Sequence, residues 1–159
     1  MLPRHMGVEH TDLTNHPGAR EDHDAQQWLA VETVAHVTIT VGGQRVAHTP
    51  GHWSADSPGE QLIEVRFHRA TSLSRMRVCS VEREQSRTQE MTVWATLNRG
   101  EQHRELVRQQ FTFSPGGATE EVEEYEFDLQ SVSAIQVRIV PSIDGRPAVA
   151  RVSDLRFAA

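Results

Sequence analysis

The sequence predicts an all-β domain, an antiparallel jelly-roll sandwich of about eight strands, and three observations carry that expectation. From Trp28 onward the chain is a succession of short runs rich in Val, Ile, Thr and aromatic residues, with apolar and polar positions alternating. Turn residues separate the runs at intervals close to those of a sandwich: Gly42-Gly43, Pro58-Gly59, Asn98-Arg99-Gly100 and Pro115-Gly116. No stretch shows a convincing amphipathic helical period.

The first run, TVAHVTITV (33–41), alternates and stops at Gly42-Gly43, a hairpin-like break. QLIEVRF (61–67) follows the Pro58-Gly59 turn and is expected to place Leu62, Val65 and Phe67 near one face. LSRMRVCSV (73–81) is more polar, with Met76 and Val78 opposed to Arg75 and Arg77. In MTVWATL (91–97), Met91, Val93, Ala95 and Leu97 share a side, leaving Thr92, Trp94 and Thr96 on the other. Asn98-Arg99-Gly100 then turns the chain, and Gly100 tolerates the positive φ that such turns need. ELVRQQFTF (105–113) sets Val107, Phe111 and Phe113 against Arg108, Gln110 and Thr112. Pro115-Gly116 has the order of a type II turn. EVEEYEFDL (121–129) sends Tyr125, Phe127 and Leu129 one way and Glu124, Glu126 and Asp128 the other. AIQVRIV (134–140), closed by Pro141, and VARVSDLRF (149–157) complete the series.

Residues 1–27 differ in texture. They hold His5, His10, His16 and His23 among scattered acids, without period, and read as a flexible N-terminal tail before a single domain at 28–159. A metal site from His10, Asp12, His16 and His23 has the right ligand types, but no cysteine or fixed spacing supports it. All sixteen basic residues are arginine, and the formal net charge is -6. Half of that comes from the tail, which has five acids against two arginines. Without a net basic surface the chain is not expected to bind nucleic acid. No apolar run approaches the roughly 18 residues of a membrane span or forms a secretion signal, so the expectation is a cytoplasmic protein with no membrane partner. The single Cys79 has no internal disulfide partner and reads as a packing residue.

Catalysis finds little support: there is no nucleophile elbow, no phosphate-binding glycine loop and no paired-cysteine zinc pattern. His48 and His52 flank Thr49-Pro50-Gly51, which prevents a helix from bringing them to one face. The acids Glu120, Glu121, Glu123, Glu124 and Glu126 are an oxygen-rich run, which raises a calcium site, but alternation divides them between faces. Pairing with arginines such as Arg87 or Arg108 across neighbouring strands is the favoured reading. The expectation is a non-enzyme without a resident metal or cofactor. The groups best suited to recognition are arginines and glutamines that fork to hydroxyls and aromatics that cover a ring face. Arg87, Gln89, Arg108, Gln110 and Tyr125 are the candidates, with Trp53 as a lid over them.

From residue 61 the order of runs resembles the discoidin-type, galactose-binding-like domain. QLIEVRF resembles that family's early strand, and SRMRVCSVE continues it. MTVWATLNRGEQHRELV resembles its strand-turn-strand, with Asn98-Arg99-Gly100 in place of the usual Asp-Gly turn and no aromatic after it. AIQVRIVP is similar to its late strand and ARVSDLRF to its closing one. RTQE, RELVRQQFTFSPGGATEEVEEY and IVPSIDGRPAVARVSDLRFA look like a group of small bacterial proteins of this fold, often described only as carbohydrate-binding or uncharacterised. The resemblance implies an eight-stranded jelly roll with ligands at loops on one end, and in some members a structural calcium at the other. The resulting expectation is a binding module for a carbohydrate or small polar ligand; a protein-interaction or scaffold domain is the alternative.

Overall fold

A computed structural model describes residues 28–49, 51–54 and 56–159. The tail assigned to 1–27, with its histidines, lies outside the described residues. One helical turn, α1 (Val31–Val34), leads into strands β1 (Ala35–Val41), β2 (Gln44–Val46), β3 (Gln61–Val81), β4 (Arg87–Leu97), β5 (Gln102–Phe113), β6 (Glu120–Val140) and β7 (Val152–Ala158). All pairings are antiparallel. The strand order is β2-β1-β3-β6-β4-β5, with β7 on β3.

Seven strands replace the eight runs, because two pairs of runs merge and the short β2, which matches none of the runs, is added. The runs 61–67 and 73–81 are one strand, β3, and the runs 121–129 and 134–140 are one strand, β6. The two pair with each other along their length, with register shifts between Arg66 and Arg75. Bulges of this kind bend a strand without ending it. The bend carries β3 and β6 from one layer of the sandwich into the other. The first half of β3 is flanked by β1 and its second half by β7, while the second half of β6 is flanked by β4. The sheet thus curls back on itself. Hydrogen bonds from β4 and β5 to the far halves of β3 and β6 show the two layers facing each other.

Between the layers lies one core, in which Ile39, Ile63, Val65, Met76, Val93 and Val137 are fully buried. Phe67 meets Phe157 edge to face at 6.4 Å between ring centres. Strict alternation corrects one expectation: Ile63, not Leu62, joins Val65 and Phe67 inside, because Leu62 differs from them in parity. The Val31–Val34 turn delays the first strand to Ala35. The Gly42-Gly43 break is a two-residue hairpin between β1 and β2, both glycines having positive φ. At the Pro115-Gly116 turn the carbonyl of Ser114 accepts from the Gly117 amide at 3.0 Å, and Gly116 takes the positive φ required of type II. Cys79 is buried, as a packing residue would be. No helix among the described residues is long and apolar enough to cross a membrane.

The two ends of the domain meet. Trp28 bridges Ala158, the Leu29 amide donates to the Phe157 carbonyl at 2.7 Å, and the Arg75 guanidinium lies 4.3 Å from the centre of the Trp28 ring.

Candidate functional site

The outer edge of β5 has no neighbouring strand, and the first half of β6 pairs only with β3. They lie across from one another, and a cleft of about 710 Å³ opens between residues 104–107 of β5 and 124–129 of β6. Its floor is apolar. Alternation brings Tyr125, Phe127 and Leu129 to the inner face of β6, and the Tyr125 and Phe127 rings lie nearly parallel, 6.5 Å apart with 20° between planes. On the β5 side the ladder skips a residue: Val93 pairs with Val107 but Trp94 with Glu105. Leu106 is the extra residue of this bulge, so Leu106 and Val107 are both half-buried at the cleft where a regular strand would turn one away.

At one end of the cleft the layers are tied by a side-chain network. The Gln109 amide nitrogen donates to Glu121 at 3.1 Å and to Glu123 at 2.8 Å, and the Tyr125 hydroxyl donates to the Gln109 carbonyl oxygen. Both amide hydrogens and the amide oxygen of Gln109 are therefore engaged, which fixes its orientation. Burial, and then the Glu123 charge, push the Glu121 carboxyl up to about 7. The same causes push the Tyr125 hydroxyl upward, so it remains a donor.

The six residues selected from sequence fall in four places. Tyr125 alone lines the cleft. Arg108 and Gln110 meet on the outer face of β5, where both donate to Glu90; Arg108 also binds Glu105 at 2.7 Å. Arg87 and Gln89 are buried together between the layers. Arg87 donates to Glu82 at 2.9 Å, to Gln89 at 2.8 Å and to the Pro141 carbonyl at 2.7 Å, and its guanidinium lies 4.7 Å from the centre of the Phe113 ring. Gln89 passes the chain on to Ser80. These bonds form a buried polar cluster that holds β4 to the layer opposite, with Nη2 of Arg87 left without a hydrogen-bond partner among the described residues. Trp53 belongs to the core, 6 % exposed, and its backbone carbonyl accepts from Gln61 at 2.7 Å, so it does not cover the other five. Trp94 packs against the neighbouring strand, stacked on His103.

The acid run divides as alternation requires, with Glu121 and Glu123 inward and Glu120, Glu124 and Glu126 outward. Its cationic partner is not Arg87 or Arg108 but Arg75, 3.1 Å from Glu124. Sequence reasoning missed Gln109, Leu106 and Phe127. Gln109 shares its parity with Val107, Phe111 and Phe113, and that signal was sufficient to place it inside. The bulge at Leu106 has no such signature.

Solved structures share this architecture. A pectin-binding carbohydrate-binding module matches with a TM-score of 0.51 at 10 % identity, over 79 % of this chain and 91 % of the other. CBM32-3, from a family 31 glycoside hydrolase of Clostridium perfringens, matches with a TM-score of 0.52 at 12 % identity, over 85 % of this chain and 96 % of the other. CBM32-5 of the same organism, in complex with GalNAc-β-1,3-galactose, matches with a TM-score of 0.51 at 10 % identity, over 83 % and 99 %. No protein-family model matches the sequence, and no curated protein does. At such identities the likeness is one of fold, and the chain has the discoidin-type, galactose-binding-like β-sandwich that its strand order resembles.

Proposed function

We propose that this domain is a non-catalytic binding module that takes a carbohydrate, or a similar polar ring compound, in the cleft between β5 and the first half of β6. The observation that carries the reading is the paired Tyr125 and Phe127 faces at an open cleft with a polar rim. A pyranose presents apolar C–H faces and hydroxyl edges, and such a site offers a partner to each. The shared fold with carbohydrate-binding modules supports the same reading. This cleft runs along strand edges, whereas the family resemblance implies loops at one end of the sandwich. Binding without turnover is supported by the arrangement of the two inward acids. Glu121 and Glu123 share one amide nitrogen on one strand, so they sit on the same side of any bound ligand and cannot flank a scissile bond.

Titration of the labelled domain with neutral and charged oligosaccharides, followed by NMR, tests the proposal. Amide shifts should cluster in 104–107 and 124–129. Tyr125→Ala should weaken binding about tenfold, the loss of about 1.4 kcal/mol of ring contact, whereas Tyr125→Phe should keep most of it. Shifts confined to the loop around Trp53, or none with any saccharide, would remove the cleft from consideration. A protein partner is a second reading, favoured by the free outer edge of β5, which could accept an added strand. Shifts along the outward amides of β5 with a peptide, and none with sugars, would favour it.

A further inference from the structure

Resting on that reading of the cleft, we propose that its ligand is a cationic sugar, an oligosaccharide carrying free amino groups, and that polyuronates are rejected. The charges around the opening do not balance. Glu105 is paired with Arg108 and Glu124 with Arg75. Glu126 and Asp128 project from the outward face of β6, where they rim the cleft, and have no ion-pair or hydrogen-bond partner among the described residues. Glu123, at the tied end, is held among the described residues only by the neutral Gln109 amide. Against these three carboxylates the lining offers one unpaired cation, Arg104. The apolar floor adds to the same preference, because the faces of Tyr125 and Phe127 carry negative quadrupolar charge that attracts ammonium groups.

Each element around the opening points the same way. β5 contributes the balanced Glu105 and Arg108 with the free Arg104, and β6 contributes the balanced Glu124 with the free Glu126 and Asp128. β3 contributes Arg75, already engaged by Glu124 and Trp28, and Arg77, engaged by Asp154. A hexosamine unit with a free amine can lay its ring on the aromatic floor and extend its ammonium over the strand edge to the rim formed by Glu126 and Asp128. A uronate places its carboxylate among like charges, which costs affinity and slows encounter. An N-acetylated sugar makes the ring contact and gains nothing from the acids.

Three probes separate the outcomes: a glucosamine tetramer, the N-acetylglucosamine tetramer and a galacturonate tetramer, each titrated by NMR and calorimetry at low and moderate salt. The amino tetramer should bind about tenfold more tightly than the N-acetylated one, an advantage that shrinks as salt screens the carboxylates. Galacturonate should cause no shifts in the cleft. In the double variant Glu126→Gln, Asp128→Asn, both positions being exposed, the affinity ratio of the two hexosamine tetramers should fall to about one. Circular dichroism is the check that this variant remains folded. Equal or tighter binding of the N-acetylated or galacturonate tetramer overturns the charge inference while leaving the cleft in place. An amino-sugar preference that survives the double variant does the same. Failure of all three probes to move Tyr125 overturns the cleft reading itself, and this inference with it.

Discussion

Glu121 is buried beneath β5 beside a second carboxylate, and its surroundings favour the neutral acid. An unfolded glutamate titrates at about 4.3, so between there and about 7 the folded protein binds the extra proton. The stability associated with neutral Glu121 is full below the unfolded value and is lost as pH rises through about 7. Glu121→Gln keeps the neutral form at every pH and can retain the bond to Gln109. Denaturant unfolding should therefore show this variant more stable than the parent at pH 8, by about 1–3 kcal/mol, with the gap closing by pH 5. A constant gap across that range would show that the carboxyl is not neutral near pH 6. Arg87 illustrates the opposite case, a buried charge held by a carboxylate, Glu82, at 2.9 Å. Arg87→Ala strands the Glu82 carboxylate, 8 % exposed, without its cation, and should cost about 3–5 kcal/mol in the same assay. Adding Glu82→Gln should restore part of that loss, since the stranded charge goes with it.

The strands themselves were largely legible, because one buried face per strand imposes a two-residue rhythm. β4 and β5 follow it from Met91 to Leu97 and from Val107 to Phe113. The joins were not legible. Between Phe67 and Leu73 the chain reads HRATS, polar and exposed, and such a stretch looks like a turn. The ladder to β6 nevertheless passes through it by bulges, and on β6 Ser131 takes a left-handed φ of 53° at the corresponding bend. Alternation records which face a residue occupies but not whether the strand has bent into the other layer, so Arg87, Arg108 and Tyr125 looked like one polar surface when they occupy three. The β4–β5 connection stores strain of its own, since Asn98, Arg99 and Gly100 all have positive φ. A left-handed conformation costs a residue with a Cβ about 1–2 kcal/mol. Because glycine gives back part of that as unfolded-state entropy, Arg99→Gly should raise stability by only about 0.5–1 kcal/mol. A drop in the thermal midpoint would mean that the Arg99 side chain contributes more than its backbone costs.

At the scale of the whole molecule, β3 and β6 belong to both layers at once, so neither layer can come apart while the other stays intact. Unfolding should be a single transition, with far-UV circular dichroism and tryptophan fluorescence giving the same midpoint. Separate midpoints would indicate that the bends act as hinges between independent sheets. The pairing of β3 with β6 joins residues as distant as Gln61 and Ile139, so folding should be slow for a chain of this size.

The meeting of Trp28 with Ala158 has a further consequence. Polypeptide enters and leaves this sandwich at one corner, so whatever precedes and follows the domain is delivered to the same spot. A short linker from Ala159 back to Trp28 would close the backbone into a ring, and new ends cut at the exposed Gly116 turn would leave every ladder uninterrupted.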